Sequence, residues 1–202
     1  MTTRDTILDA AVEGAALYGL AKLSMSDIAS LAGISRPTLY KHFSSKDDLV
    51  AAAVQREAVR LVGTVLEAAQ EQADPAAALE AAVVMALRQT REHPLLDRII
   101  GSEPETLLPY LTTDRIGGDG GGGGAAVLLF VRTAAEALVR EHLGDSLDEL
   151  LIRRLADMVA RLLVSYAISA PDDPPEVVAS TIVTILLGGA LNAGTAESLA
   201  TG

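Results

Sequence analysis

Cysteine and tryptophan are absent from this chain, and four tyrosines with two phenylalanines make up all of its aromatic content. Without thiols there are no disulfides and no thiolate metal sites, which is compatible with a reducing cytoplasm, the compartment expected here. Scarce aromatics and little β-branched alternation argue against sheets, and with only 8 prolines long helices can run uninterrupted. Histidine is scarce too: His42, His93 and His142 lie far apart in the chain. Neither the HExxH spacing of a zinc hydrolase nor the GxSxG elbow of a serine hydrolase occurs, and the two members of Glu92-His93 and of Glu141-His142 would point in different directions on a helix. No enzymatic activity, metal or cofactor is therefore expected. A long apolar run is also missing. The nearest to one, Val177 to Ala193, spans 17 residues and is broken by Ser180, Thr181, Thr184 and Asn192, whereas a membrane-spanning helix takes about 20 mostly apolar residues. Asp5, Asp9 and Glu13 likewise interrupt any apolar signal segment near the start.

What is present is a composition that favours helix, rich in Ala, Leu and Val, with 50% hydrophobic residues in a chain of 202, ample for a substantial core. The expected fold class is all-α. The net charge of -11 is unevenly spread. Residues 1 to 46 hold Arg4, Lys22, Arg36, Lys41 and Lys46 against Asp5, Asp9, Glu13 and Asp27, a balance of +1 that leaves -12 for the rest. A polyanionic partner must meet the first quarter of the chain, because the remainder repels it.

Apolar residues at three-to-four spacing (Ile7, Leu8, Ala11, Val12, Ala15) predict a first helix that stops near Gly19. Ser24-Met25-Ser26-Asp27 has the form of a capping box and predicts a second helix to about Ala32, ended by Gly33. Ser35 caps a third, with Pro37 in its first turn, running to about Phe43. Ser44 with Asp47 repeats the capping pattern and opens a long fourth helix. Asp74-Pro75 starts a helix ending at His93-Pro94, and Ser102 to Glu105 caps a short one. The tract 117–124, all glycine but for Asp119, lacks the following Lys-Ser/Thr and preceding strand of a phosphate-binding loop, so a mobile connection is expected. Three helices follow: Ala125 to about Leu143, one capped by Ser146 with Glu149 to about Ser169, and Pro175 to Leu191.

Short helices joined at Gly33-Ile34-Ser35 have the layout of a helix-turn-helix. Ala29 allows close approach, and Ile28, Leu31, Ala32, Ile34 and Leu39 form the apolar wedge, leaving Arg36, Pro37, Thr38, Tyr40, Lys41 and His42 outward. A guanidinium near the helix start suits guanine O6 and N7, while a phenol and an ammonium suit backbone phosphates. The whole stretch LSMSDIASLAGISRPTLYKHFSSKDDLV, residues 23 to 50, resembles the DNA-binding signature of tetracycline-repressor (TetR) family regulators, in register from the Asp-Ile-Ala helix through Thr-Leu-Tyr-x-His-Phe.

The resemblance implies that Tyr40 and Lys46 clamp phosphates with Thr38 and His42 beside them, and that Arg36, Pro37, Thr38 and Lys41 lie nearest the bases. The hydroxyls of Ser24, Ser26 and Ser35 at the helix starts complete the candidate set; Ser26 stands where relatives often place a longer base-contacting residue. The expected organisation is a DNA-binding domain over 1–46 and a helical effector-binding and dimerisation domain over 47–202. One short reading helix makes few base contacts, so a homodimer on a palindromic operator is expected. The resemblance implies pairing through the last two helices, 147–169 and 175–191, where Ala179, Gly188, Gly189 and Ala190 leave room for close approach. It also implies a small-molecule pocket in the middle helices, with Met85, Arg88, Leu107, Leu108, Tyr110, Phe130, Leu138 and Met158 as candidate lining, although ordinary packing is the favoured role for each taken singly. The expected function is a ligand-responsive regulator, a repressor released from its operator by an apolar effector. A helical interaction protein whose helix-turn-helix has lost its DNA, or an enzyme, is the alternative; mobility shift and turnover assays respectively tell these apart.

Overall fold

The structure is a computed structural model that describes residues 2–93, 96, 101, 124–169 and 172–200. Eight helices and no strand occur among the described residues: α1 (Thr3–Tyr18), α2 (Met25–Leu31), α3 (Arg36–His42), α4 (Lys46–Gln70), α5 (Pro75–Glu92), α6 (Gly124–Leu143), α7 (Glu149–Ile168) and α8 (Pro175–Ala200). The fold is all-α. The expected short helix after Ser102 and nearly all of the glycine tract lie outside the described residues; Gly124, the last glycine of the tract, is the first residue of α6.

Local chemistry explains most helix boundaries. The Ser24 hydroxyl accepts from the Asp27 amide while the Asp27 carboxylate accepts from the Ser24 amide at 3.0 Å, the expected capping box, and Thr2 and Asp5 form a second one ahead of α1. Two positions differ from expectation. The start of α4 is capped by Ser45, which accepts from the Asp48 amide, while Asp48 reaches back to the Ser44 amide at 3.1 Å. The expected Ser44 and Asp47 pair is thus displaced by one residue. Likewise α7 is capped by Asp148, accepting from the Leu151 amide at 2.8 Å, rather than by Ser146, because Ser146 is still held in the turn that follows α6 by its amide bond to the Leu143 carbonyl.

These caps have an acid dependence. Hydrogen bonds from the Ser24 hydroxyl and then its amide hold the Asp27 carboxyl below its ordinary pKa, and the Thr2 amide and hydroxyl do the same for Asp5. A folded-state pKa lowered in this way adds stability above the usual carboxylate range and loses it as pH falls through the lowered value. Thermal midpoints measured between pH 6 and pH 3 should therefore fall toward acid, and Ser24→Ala should flatten part of that slope while also lowering the plateau. An unchanged slope in the variant would remove Asp27 as a source of the dependence.

The chain divides into two compact units, residues 1–59 with 92–129, and residues 60–91 with 130–202. In the first, Ile7, Leu8, Ala11 and Ala15 of α1, Ile28 and Ala29 of α2, Leu39 of α3, Phe43, and Leu49, Val50 and Ala53 of α4 form one buried cluster. Gly14 is part of the same fit: a Cβ there would stand 2.7 Å from Leu23 Cδ1 and 3.0 Å from Leu31 Cδ1, so a larger residue would make the ends of those leucine side chains shift. Arg56 ties α4 to α1, donating to the Asp5 carbonyl at 3.0 Å and pairing with Asp9 at 2.8 Å. The Arg4 guanidinium lies 4.5 Å over the Phe43 ring.

The second unit packs Val83 and Leu87 of α5 against Val178, Ala179, Ile182 and Val183 of α8, and Val139 and Leu143 of α6 against Leu147, Ile152 and Leu155. Ala69, Ala78, Ala82 and Leu138 form a further cluster at the end of α4. Among the described residues no helix is long and apolar enough to cross a membrane.

Candidate nucleic-acid interface

The turn between α2 and α3 is built by hydrogen bonds that need a left-handed residue. Gly33 has φ 65°, its amide donates to the Ser30 carbonyl at 3.1 Å, and the Ile34 amide donates to the Ala29 carbonyl at 3.0 Å. Ser35 then caps α3 through the Thr38 amide, with the two hydroxyl oxygens 2.8 Å apart. Pro37 falls in the first turn, where a missing amide hydrogen costs nothing.

Of the seven residues of α3 only Leu39 is buried. Arg36, Pro37, Tyr40, Lys41 and His42 are exposed and Thr38 is half-buried beneath Ser35. Ser24 is exposed and Ser26 half-buried. The wedge departs from expectation at Leu31, which is 37% exposed: it lies along Gly14 of α1 at the rim of the core and not between α2 and α3. Lys46 is half-buried, and its ammonium donates to the Leu20 carbonyl at 2.5 Å and approaches the Ala21 carbonyl at 3.5 Å.

Charge is committed differently in the two units. Arg88, Arg132, Arg140, Arg153 and Arg161 of the second unit are in ion pairs with Glu or Asp, and Arg56 is paired in the first. Lys22, Arg36 and Lys41 of the first unit, and Arg154 of the second, are exposed and engage no carboxylate among the described residues. Uncommitted positive charge is therefore densest on α3 and the α1–α2 turn, while Arg154 stands among the paired arginines of an acidic unit. Lys22 was not among the residues singled out from sequence; its lack of an oppositely charged neighbour three or four places away was the available signal.

Two models of known families match the chain. One, described as bacterial regulatory proteins, tetR family, matches residues 7–53; the other, described as the bacterial tetracyclin repressor C-terminal domain, matches residues 74–187. The chain belongs to the TetR family of transcriptional regulators. An HTH-type transcriptional regulator of Mycobacterium tuberculosis strain H37Rv is 32% identical over 163 residues, covering 80% of this chain and 72% of that one. The HTH-type transcriptional activator FasR of Mycolicibacterium smegmatis is 41% identical over 80 residues, 40% of this chain and 36% of FasR. Among solved structures, the TetR family repressor AlkX of Dietzia superposes with a TM-score of 0.69 at 21% identity, over 93% of this chain and 96% of AlkX. FadR of Bacillus subtilis, in complex with stearoyl-CoA, gives 0.58 at 16% identity, over 92% and 98%. This TetR-family protein is accordingly a DNA-binding regulator carrying its helix-turn-helix in the first unit.

The expected pocket residues do not share one environment. Leu138 is buried against Ala78 and Ala82, Met85 and Phe130 are half-buried, and Met158 is half exposed. Arg88 is exposed and paired with Glu176 of α8. Leu107, Leu108 and Tyr110 lie outside the described residues. On α8, Ala179 is fully buried against α5 and so is not part of an outward face, contrary to expectation. The outward face of α8 is Glu176, Val177, Ser180, Thr181, Thr184, Ile185, Gly188 and Gly189, with nothing within 4 Å of a Cβ added at Gly188 or Gly189. The side chain of Ala190 is outside the description.

Proposed function

We propose that this TetR-family regulator is a cytoplasmic repressor that grips a palindromic operator as a homodimer and lets go when a small apolar effector binds its helical body. The observation that carries this reading is the set of exposed, uncommitted cations on the helix-turn-helix of a protein that is otherwise strongly acidic. In it residues 1–46 read DNA, and 47–202 bind the effector and the second subunit. Arg36 pairs with a guanine, Pro37, Thr38 and Lys41 approach the neighbouring bases, and Tyr40 and His42 hold phosphates. Ser24, Ser26 and Ser35 line the same surface. Lys46 has one remaining N–H with which to join the phosphate contacts, its other two being directed at carbonyls.

Pairing uses the outward face of α8 from Val177 to Gly189, uncharged beyond the Arg88-paired Glu176, together with Leu150 and Met158 of α7, which are 56% and 51% exposed. Small residues repeating every three or four positions let two copies of α8 lie close, and an uncharged face suits a two-fold contact in which each residue meets its own equivalent. For the effector, an aliphatic chain is favoured by the aliphatic lining candidates Met85 and Leu138 with Phe130, and by the likeness to FadR, which was solved with stearoyl-CoA. Such a ligand acts by binding one arrangement of the regulator better than the other.

A mobility shift on DNA upstream of the protein's own coding region tests the reading. Binding should weaken steeply with salt, and Arg36→Ala should cost about 1–3 kcal/mol per half-site, roughly five- to 150-fold, with loss of preference at one base pair per half-site. Equal affinity of parent and variant across sequences would dismiss Arg36 as a reader of bases.

A further inference from the structure

The α1–α2 turn, residues 19–24, is fastened to the start of α4, just past the reading helix, by one side chain. Lys46 opens α4 four residues after α3 ends at His42, and its ammonium is hydrogen-bonded to the Leu20 carbonyl and directed at Ala21. These contacts bridge 26 and 25 residues of chain, so they fix the turn in space and not merely along the sequence. The next residue is Lys22. Its side chain is exposed, forms no ion pair, and stands at the rim of a surface hollow of about 320 Å³ that it shares with Leu17, Tyr18 and Asp27. Asp27, which lines the same hollow, has its Oδ2 held in the α2 cap by the Ser24 amide at 3.0 Å and the Ser24 hydroxyl at 2.5 Å, and it forms no ion pair with Lys22.

We infer that the α1–α2 turn is a second backbone-gripping point of each head: Lys22 takes a DNA phosphate, and Lys46 is the positioning residue that holds the turn to the start of α4, four residues past the reading helix. The inference rests on the DNA-binding reading above and extends it to an element outside the helix-turn-helix pair. An ammonium on this turn, outside the reading helix, meets the duplex at the sugar-phosphate edge, so Lys22 contributes affinity and orientation without base preference.

Each phosphate neutralised by a cation adds about 0.9 to the slope of log affinity against log salt. In the full-length dimer, Lys22→Met should lower that slope by about 2, one unit per head, and weaken binding at 0.1 M salt by about eightfold per head, with the same base preference as the parent. Lys46→Met should weaken binding at least as much, and the double variant should be little weaker than Lys46→Met alone, because a turn no longer held in place has no Lys22 contact left to lose. Circular dichroism melts identify any loss from unfolding of the Lys46 variant; Lys22 is exposed, so its arm decides on its own. A parent that binds with a steep salt slope beside a Lys22→Met protein with the identical slope overturns the inference and leaves the reading intact. Additive Lys22 and Lys46 effects overturn the positioning role. A parent with no salt-sensitive duplex binding overturns the reading and the inference together.

Discussion

Ile185→Arg is expected to produce a folded, monomeric protein that no longer holds its operator. Ile185 is 65% exposed on α8, so an arginine there meets no core residue and the helix content should be unchanged. In a two-fold interface the same position from each subunit meets near the axis, and two guanidiniums forced together on an uncharged face repel with little solvent to screen them. Sedimentation at micromolar concentration should show the mass of one chain. Operator binding should fall by about a thousandfold or more toward the non-specific level, since one head reads only half a site. A variant that sediments as a dimer would show that this face of α8 is not where subunits meet.

The second large effect concerns the head itself. Phe43 is 1% exposed, ends α3, and carries the Arg4 guanidinium on its ring. Phe43→Ala removes a ring from the centre of a small core and should cost about 3–5 kcal/mol, with about 0.5–1 kcal/mol more from the lost cation contact. That is a large share of the stability of any unit this size. Urea melts should show the first unit unfolding early, and DNA binding should vanish at temperatures where the helices of the second unit persist. A loss below about 1 kcal/mol would mean that the core is centred elsewhere, on Ile28 and Leu39.

The helix-turn-helix was legible in the sequence because its determinants are local. A hydroxyl cap, a left-handed glycine and a proline in a first turn act over three or four residues, and each of Ser24, Gly33, Ser35 and Pro37 does in the structure what its position announces. The same locality misleads where two caps compete. Ser44 and Ser45 are adjacent, as are Asp47 and Asp48, and nothing in the chain order tells which pair closes. The facing of α8 was illegible for a different reason. The helix is apolar nearly all round, so periodicity cannot say which small residues turn inward, and Ala179 turned out to be core while Gly188 is open. The Lys46 bond to Leu20 spans 26 residues and has no sequence signature at all, which is why a lysine read from sequence only as a phosphate ligand is found fastening the α1–α2 turn.

The single buried residue of α3 has a consequence for how such a regulator changes over time. Leu39 within the helix and Phe43 at its end secure it to the core, and caps at Ser35 and Gly33 set its angle, so its exposed positions answer to DNA and hardly at all to folding. Substitutions at Arg36, Lys41 or His42 can redirect the protein to a new target while the scaffold stays as it was, which makes duplicated copies of this gene free to diverge in what they govern long before they diverge in shape.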